Sequence, residues 1–249
     1  MSLNPEKNWF GEKPVDASKK ADLVRGVFDN VASNYDLMND LMSGGVHRLW
    51  KDRLVRIIRP RNNQAFLDVA GGTGDIAFRI KKKAPEAAIT VCDINTEMLK
   101  VGRDRAIDKG WLNGFDWVTG NAESLPVPDS SIDVYTIAFG LRNVTHIDTA
   151  LKEAVRVLKP GGRFFCLEFS KVQEPIFARA YDAFSFKVIP QIGHLVAKDR
   201  DSYQYLVESI RRHPDQKTLQ RRMSAAGMDG TGFYNLSGGI AAIHYGNKS

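Results

Sequence analysis

Cysteine is nearly absent: the 249 residues hold two, Cys92 and Cys166. Each falls inside an apolar run that reads as a strand, so both are expected to be buried free thiols, and two cysteines make no disulfide framework. No stretch approaches the roughly eighteen uninterrupted apolar residues of a transmembrane helix. Met1 to Lys20 is polar and lacks the apolar core of a signal peptide, so the expected setting is cytoplasmic. Internal repeats and low-complexity tracts are missing, as is any cluster at metal-ligand spacing; no metal is expected. Charge is not concentrated either. Lys and Arg number 35 against 29 Asp and Glu, a net +6. That balance permits attraction to anionic lipid or nucleic acid but is too diffuse to establish either, and no nucleic-acid partner is expected. Lys81-Lys82-Lys83 reads as a helix end, where cations suit the dipole. What remains is an ordinary globular composition, 43% hydrophobic and 26% charged, enough for one large α/β domain or at most two small ones.

Short apolar runs alternate with helical periodicity, which suggests βα units on a parallel sheet. The runs are Ala65–Ala70, Ala88–Cys92, Phe115–Thr119, Ile132–Phe139 and Arg163–Phe169. Helices are expected at Asp75–Lys83, Thr96–Lys109 and roughly Asp148–Leu158. The last places Leu151, Ala154, Val155 and Leu158 on one face and stops at Lys159-Pro160-Gly161-Gly162. Gly232–Leu236 and Ile240–Tyr245, joined through Ser237-Gly238-Gly239, read as an antiparallel pair closing the sheet. The expected fold is therefore α/β: a Rossmann-like, seven-stranded, mostly parallel sheet with helices on both faces. A single domain 1–249 would carry a helical N-terminal cap (1–60) and an inserted cover (172–215). The cover lies before the closing hairpin, where it can shield the carboxyl ends of the strands, the place ligands occupy in open α/β sheets.

The most informative stretch is Ala65-Phe-Leu-Asp68-Val-Ala70-Gly71-Gly72-Thr73-Gly74-Asp75: a strand, an acid, and a glycine turn opening a helix. Small residues let the backbone turn tightly and approach a ligand where a Cβ would clash. Asp93, about 20 residues on at the end of the next strand, is placed to meet the hydroxyls of a nucleoside. Gly72 to Ala77 alone also fits the dinucleotide pattern G-x-G-x-x-A. Asp68 separates the two readings, because a carboxylate there repels a pyrophosphate but suits an ammonium and a sulfonium. S-adenosyl-L-methionine carries both and no phosphate, and Asp68-x-Ala70-x-Gly72-x-Gly74 is the pattern of Rossmann-like methyltransferases. Asn121 and Ala122, after the third strand, can frame an adenine edge; taken singly, Asn121 is equally a turn residue.

Two long stretches then resemble one family closely, the ubiquinone/menaquinone biosynthesis C-methyltransferases, a branch of the class I S-adenosylmethionine-dependent methyltransferases. One runs from Tyr35 to Trp50 (Tyr-Asp-Leu-Met-Asn-Asp-Leu-Met-Ser-Gly-Gly-Val-His-Arg-Leu-Trp). The other runs from Arg156 to Ser170. Phe139-Gly-Leu-Arg-Asn-Val144, Tyr181-Asp-Ala-Phe-Ser-Phe186 and Asp199 to Ile210 extend the likeness to roughly 20–246. Ala138 stands where the family often has serine, which leaves only backbone for a contact there, and Met228 where an aromatic residue is common. The resemblance implies methyl transfer to a ring carbon of a polyprenylated quinol, either a methoxy-polyprenyl-benzoquinol or a demethylmenaquinol. It also implies cofactor contacts at Thr73, Asp93, Asn121 and Ala122.

The loop after the fourth strand should face both cofactor and ring. Arginine is no direct base at ordinary pH, so Arg142 is a candidate to stabilise a developing phenolate or orient a water, and Asn143 to hold a ring oxygen. A structural ion pair from Arg142 to the cover is the alternative. Glu168 is expected to orient this loop. Tyr181, Phe184 and Tyr203, with Phe186, form a stripe that serves either as core or as the wall for a polyprenyl chain. His47 is either structural or functional, and Asp36 either a helix cap or, with Tyr35, a closure over the cofactor. Membrane-surface contact through 172–198 with Lys171, Arg179, Lys187 and Lys198, and membership of a quinone-synthesis complex or a homo-oligomer, complete the expectations. Competing readings are a methyltransferase of another lipid or phenol, a nicotinamide-dependent reductase, and a non-catalytic scaffold subunit.

Overall fold

The computed structural model describes residues 8–11, 13–16, 19–20, 22–24, 26–27, 40, 43, 45–173 and 200–249. Two short strands, β1 (Asn8–Phe10) and β2 (Lys13–Val15), form an antiparallel hairpin of their own. The remaining elements are α1 (His47–Ile58), β3 (Ala65–Val69), α2 (Asp75–Lys83), β4 (Ala88–Asp93), α3 (Thr96–Asp108), β5 (Phe115–Thr119) and β6 (Ile132–Ala138). They are followed by α4 (Ile147–Val157), β7 (Leu158–Phe169), α5 (Arg200–Arg212), α6 (Gln216–Ala225), β8 (Met228–Leu236) and β9 (Ala241–Lys248). The seven-stranded sheet has the order β5-β4-β3-β6-β7-β9-β8. β3 through β7 are parallel, and β9 and β8 run antiparallel at one edge.

Period-two side-chain alternation sends successive residues of each central strand to opposite faces. Phe66, Val134, Phe165 and Leu167 join Leu54, Ile58, Ile76 and Ile80 of α1 and α2 in one core. Leu67, Val69, Tyr135, Phe164 and Cys166 join Leu151, Ala154, Leu219 and Met223 of α4 and α6 in the other. Helices therefore cover both faces. At roughly 1.5–3 kcal/mol per fully buried large apolar side chain, these two layers supply the main stabilisation. Both cysteines are buried and free, and burial pushes the Cys92 thiol up to about 12.

Where observed and expected boundaries differ, backbone geometry explains it. β3 and β6 each stop one residue early, because Ala70 and Phe139 turn into the left-handed region (φ 50° and 57°). β7 starts at Leu158 rather than Arg163. The register jumps between Ile132↔Leu158 and Val134↔Arg163, so residues 159–162 bulge from the ladder, with Gly161 at φ 74°. β8 starts at Met228, ahead of a second bulge between Asp229 and Gly232. Helix α3 ends at Asp108 and is capped at its start by Asn95, whose side chain accepts from Met98 N at 3.0 Å. Such a cap contributes about 1 kcal/mol.

Helix α1 contributes Trp50, Leu54, Val55 and Ile58 to the core. His47 and Trp50 share its buried face; His47 Nε2 meets Asp40 at 2.8 Å and Trp50 Nε1 donates to Ser237 Oγ at 3.0 Å. Trp50 stands 6.0 Å from Phe169 and 6.4 Å from Phe139, backing the strand ends that face the site. Tyr35, Asp36, Tyr181 and Phe184 lie outside the described residues. Tyr203 lies in α5, where its backbone alone is described. Among the described residues, no helix is long and apolar enough to cross a membrane.

Candidate active site

Four parallel strands, β5, β4, β3 and β6, end side by side and open a pocket above their carboxyl ends. From β3 comes the turn 70–74, in which every second residue, Ala70, Gly72 and Gly74, has positive φ (50°, 52° and 82°). Within it Gly71 N donates to Cys92 O at 3.2 Å, Gly72 N to the Asp93 carboxylate at 2.8 Å and Gly74 N to Gly71 O at 2.8 Å, so the turn is fixed by its own bonds at the start of α2. A Cβ at Gly72 would come within 3.0 Å of Met98 Cε, and one at Gly74 within 2.9 Å of the Trp117 ring. Two adjacent strand ends thus carry non-glycine residues in a conformation that costs about 1–2 kcal/mol each, Ala70 and Phe139. They lie close together: a Cβ on Gly140 would sit 2.4 Å from Ala70 Cβ. Strain of this kind collects at functional sites.

From β4 comes Asp93. Its Oδ2 accepts from Gly72 N at 2.8 Å and its Oδ1 from Asn95 N at 2.8 Å, so the glycine turn and the start of α3 hold this carboxylate between them. Burial raises its pKa, while hydrogen bonds from Asn95, Gly72 and Ile94 oppose the shift. From the end of β5 come Asn121 and Ala122. Asn121 Oδ1 accepts from Glu123 N at 2.9 Å. Glu123 accepts from the backbone N of Thr145 and His146 and pairs with His146 Nδ1 at 2.7 Å, tying the β5 loop to the β6 loop across the pocket mouth. The pocket holds roughly 820 Å³ of open space, part of it continuous with solvent, and its lining includes Gly72, Asp93, Asn121, Ala122 and Asn143.

Four further cofactor candidates stand behind this lining. Asp68 is buried beneath the turn, on the face toward α2; its Oδ1 accepts from Thr136 Oγ1 at 2.7 Å and its Oδ2 has no partner. Burial, more than any neighbour, pushes its pKa up to about 7. Thr73 is buried and takes a hydrogen bond from Arg105 at 3.2 Å. Gly74 and Ala138 also lie outside the lining. Residues the sequence did not single out include Ile94, Met98 and Gly140, which do line the pocket. Ile94 follows Asp93 directly and Met98 sits one turn into α3, so the strand-acid-helix pattern contains them once the turn is drawn.

Arg142 and Asn143 sit in the 3-10 turn Leu141–Asn143. Asn143 lines the pocket, and its Oδ1 accepts from Tyr205 Oη at 3.0 Å. Arg142 lies on the far side of the turn with its guanidinium buried. Its Nη1 reaches Glu168 Oε1 at 2.8 Å and Phe139 O at 2.5 Å, and its backbone N donates to Glu168 Oε2 at 3.2 Å. The ion pair anticipated from sequence exists, but it runs to β7 and not to the cover. Glu168 orients this loop, as its place at a strand end suggests. Arg142 Nε has no partner.

The residues present fit S-adenosyl-L-methionine on structural grounds. A turn too tight for side chains at Gly72 and Gly74 borders the pocket through Gly72, a preorganised carboxylate stands at the end of β4, and a buried carboxylate oxygen without a hydrogen-bond partner lies beneath. A pyrophosphate would have to approach that same carboxylate.

A family model described as the ubiE/COQ5 methyltransferase family matches residues 15–248. The chain is 57% identical over 247 residues to the ubiquinone/menaquinone biosynthesis C-methyltransferase of Caulobacter vibrioides, a match covering 95% of this chain and 96% of that protein. It is 49% identical over 281 residues to the mitochondrial 2-methoxy-6-polyprenyl-1,4-benzoquinol methylase of Danio rerio, covering 99% and 86%. Among solved structures, a SAM-dependent methyltransferase from Thermotoga maritima superposes with a TM-score of 0.63 at 21% identity, covering 90% of this chain and 99% of that one; it shows the fold alone. The protein belongs to the ubiE/COQ5 methyltransferase family and is an S-adenosylmethionine-dependent C-methyltransferase.

Proposed function

We propose that the protein methylates a ring carbon of a polyprenylated quinol, a methoxy-polyprenyl-benzoquinol or a demethylmenaquinol, in ubiquinone and menaquinone biosynthesis. The observation that carries the reading is Asn143: it faces the cofactor pocket, is held from behind by Tyr205, and sits on the turn between the pocket and Arg142. The names of the relatives point to the same acceptor class.

Bound S-adenosyl-L-methionine would supply an electrophilic methyl on a sulfonium, and the protein's task is to hold and orient the acceptor ring against it. Asp93 takes the ribose hydroxyls, and Asn121 and Ala122 frame the adenine. Thr73 would present its N–H to the carboxylate, with Gly72 and Gly74 keeping the approach free of side chains, while Asp68 would set negative charge beneath the cationic end and Ala138 would contribute its backbone. A quinol carbon becomes nucleophilic as its hydroxyl loses a proton. Asn143 donates to a ring oxygen, and Arg142, with Nη1 anchored on Glu168 and Nε unengaged, stabilises the developing phenolate. Tyr181, Phe184 and Tyr203 wall the prenyl chain.

The organisation that goes with this is one domain, 1–249, with 1–60 as N-terminal cap and 172–215 as substrate cover. The prenyl tail calls for contact with the cytoplasmic face of a membrane through 172–198 and the adjacent Lys171, Arg179, Lys187 and Lys198. Membership of a quinone-synthesis complex or a homo-oligomer fits the same substrate. Co-sedimentation with anionic liposomes at low salt is expected; its absence would remove the membrane contact. S-adenosylhomocysteine should raise the melting temperature, by up to about 2.7 kcal/mol of stabilisation at a hundredfold excess over Kd, and NADH should not. Turnover of short-chain benzoquinol and naphthoquinol analogues side by side decides the acceptor, and failure with both would sink the reading.

A further inference from the structure

The cofactor pocket opens at the carboxyl ends of the strands; a charged groove lies at their amino ends. Arg53, Arg56, Arg59, Arg61 and Arg163, with Tyr234, border about 1270 Å³ of open space continuous with solvent, and among the described residues no carboxylate lines it. Arg61 and Gln64 lead into β3, and Arg163 pairs with Val134 near the start of β6, which fixes the end of the sheet. Arg53 and Arg56 stand three apart on α1 and so share one face.

Five like charges gathered without an acid oppose folding, so the grouping requires a reason. Among the described residues, the guanidinium groups of Arg53, Arg56, Arg59 and Arg61 have neither a hydrogen bond nor an ion pair. The acids that adjoin the groove are engaged elsewhere. Asp52, next to Arg53, pairs with Arg79; Asp133 pairs with Lys159 at 2.9 Å and accepts from Ala65 N at 2.8 Å. Arg163 is half-buried over the Phe165 ring, and its Nη1 donates to Ile58 O at 2.9 Å. Burial, and then the charge of Arg61, lowers its pKa. Arg59 closes α1 in the left-handed region (φ 50°, ψ 67°), its N donating to Val55 O at 3.1 Å. Helices favour glycine or asparagine there, so an arginine is kept at a cost in backbone strain. Cations at a helix C-terminus offset its dipole, which accounts for Arg56 and Arg59. It does not account for Arg53, outside the last turn, or for Arg61 beside Arg163.

We propose that this groove is the docking site for a short acidic segment of a partner protein, its carboxylates held by the exposed arginines and its apolar side chains resting on Ile57 and Tyr234. Arginine forks match carboxylates two bonds at a time, and arginine and tyrosine are enriched at protein interfaces. Tyr234 is 45% exposed and braced from behind by Tyr245, with centroids 5.2 Å apart. A second copy of the chain offers no complement, since nowhere in the 249 residues do two acids stand side by side. A bilayer or a duplex presents an extended anionic surface, which the exposed Asp52 beside the groove would repel. A bilayer here would also lie at the opposite end of the sheet from the pocket. A docked segment leaves the pocket open, and the proposal holds whichever acceptor is methylated.

The test is fluorescence anisotropy of a labelled decaglutamate peptide with the full chain at low ionic strength. The parent should bind it saturably and release it as salt rises. Arg56→Gln with Arg61→Gln should weaken binding about tenfold, ~1.4 kcal/mol. Arg56→Lys with Arg61→Lys, which keeps the charge and loses the fork, should weaken it less. Lys82→Gln with Lys83→Gln removes equal charge from the end of α2 and should leave binding within about twofold. S-adenosylhomocysteine affinity should match the parent in all three. Amide hydrogen exchange on the parent gives the answer without a variant: the peptide should protect residues 59–64, and protection confined elsewhere would overturn the site. The absence of saturable binding, or an equal loss in the Lys82/Lys83 variant, would also overturn it. Tighter binding of duplex DNA or of phosphatidylglycerol vesicles, lost in the Arg56/Arg61 variant, would show that the partner is not a protein.

Discussion

The cofactor side of the site and the acceptor side are built by different means. The cofactor pocket is shaped largely by backbone: an alternating turn at 70–74 and a carboxylate, Asp93, clamped by two N–H groups. These parts are within about 30 residues of one another in sequence, and each requires only a small residue or an acid at a strand end. On the proposed acceptor side, side chains from far apart in sequence meet: Phe10 on Tyr205, Tyr205 on Asn143, Arg142 on Glu168. The difference teaches that one half of this site is a property of the fold, whereas the other belongs to this chain's particular packing. Damage on the first side should therefore appear in cofactor binding, and on the second in turnover and acceptor KM.

The largest expected effect is on the acceptor side. Glu168→Ala leaves the Arg142 guanidinium buried and unpaired, which should cost about 3–5 kcal/mol of stability, read by denaturant unfolding. A smaller loss would mean that the turn is held by Phe139 O alone. Next comes Asp68. Its folded pKa, about 7, lies above the ordinary value of 3.8, so between those limits the folded protein binds more protons than the unfolded chain. The stability of the cofactor-free protein should therefore fall as pH rises from about 4 to 7. Asp68→Asn should flatten that slope and exceed the parent by up to about 4 kcal/mol above pH 8, at ~1.4 kcal/mol per unit, with no difference below pH 4. An unchanged slope would show that Asp68 is ionised in the free protein.

Asp93→Ala removes one carboxylate and strands two N–H donors, and should weaken S-adenosylhomocysteine about a hundredfold by titration calorimetry, ~2.8 kcal/mol. Tyr205→Phe deletes only the bond to Asn143; kcat should fall about tenfold, ~1.4 kcal/mol, with cofactor affinity unmoved. If instead cofactor affinity drops with kcat, the two sides are not separable. Ala70→Gly is the smallest. Relief at φ 50° opposes the added chain entropy, and stability should shift by less than about 1 kcal/mol.

The same contrast explains what could be read from the chain beforehand. The βα alternation, the glycine turn and Asp93 were legible because strand period, turn chemistry and strand-end acids are local properties. Strand ends at Ala70 and Phe139 were not, since apolar residues in the left-handed region carry no composition signal. Asn143 was legible as a loop residue facing the site, but not its bond to Tyr205, 62 residues away. The partner of Arg142 was missed for a similar reason: Glu168 becomes its neighbour only when β7 lies beside β6. Asp68 was placed in the pattern correctly, yet nothing in the sequence says that its side chain lies under the turn with one oxygen unmet.

The most direct test of the account is the product formed from a quinol and its oxidised quinone, each offered with S-adenosylmethionine and analysed by mass and carbon NMR. The quinol should gain one methyl, on a ring carbon, while the quinone, lacking a hydroxyl proton to lose, should gain none. Methylation on oxygen, or equal turnover of the quinone, would contradict it.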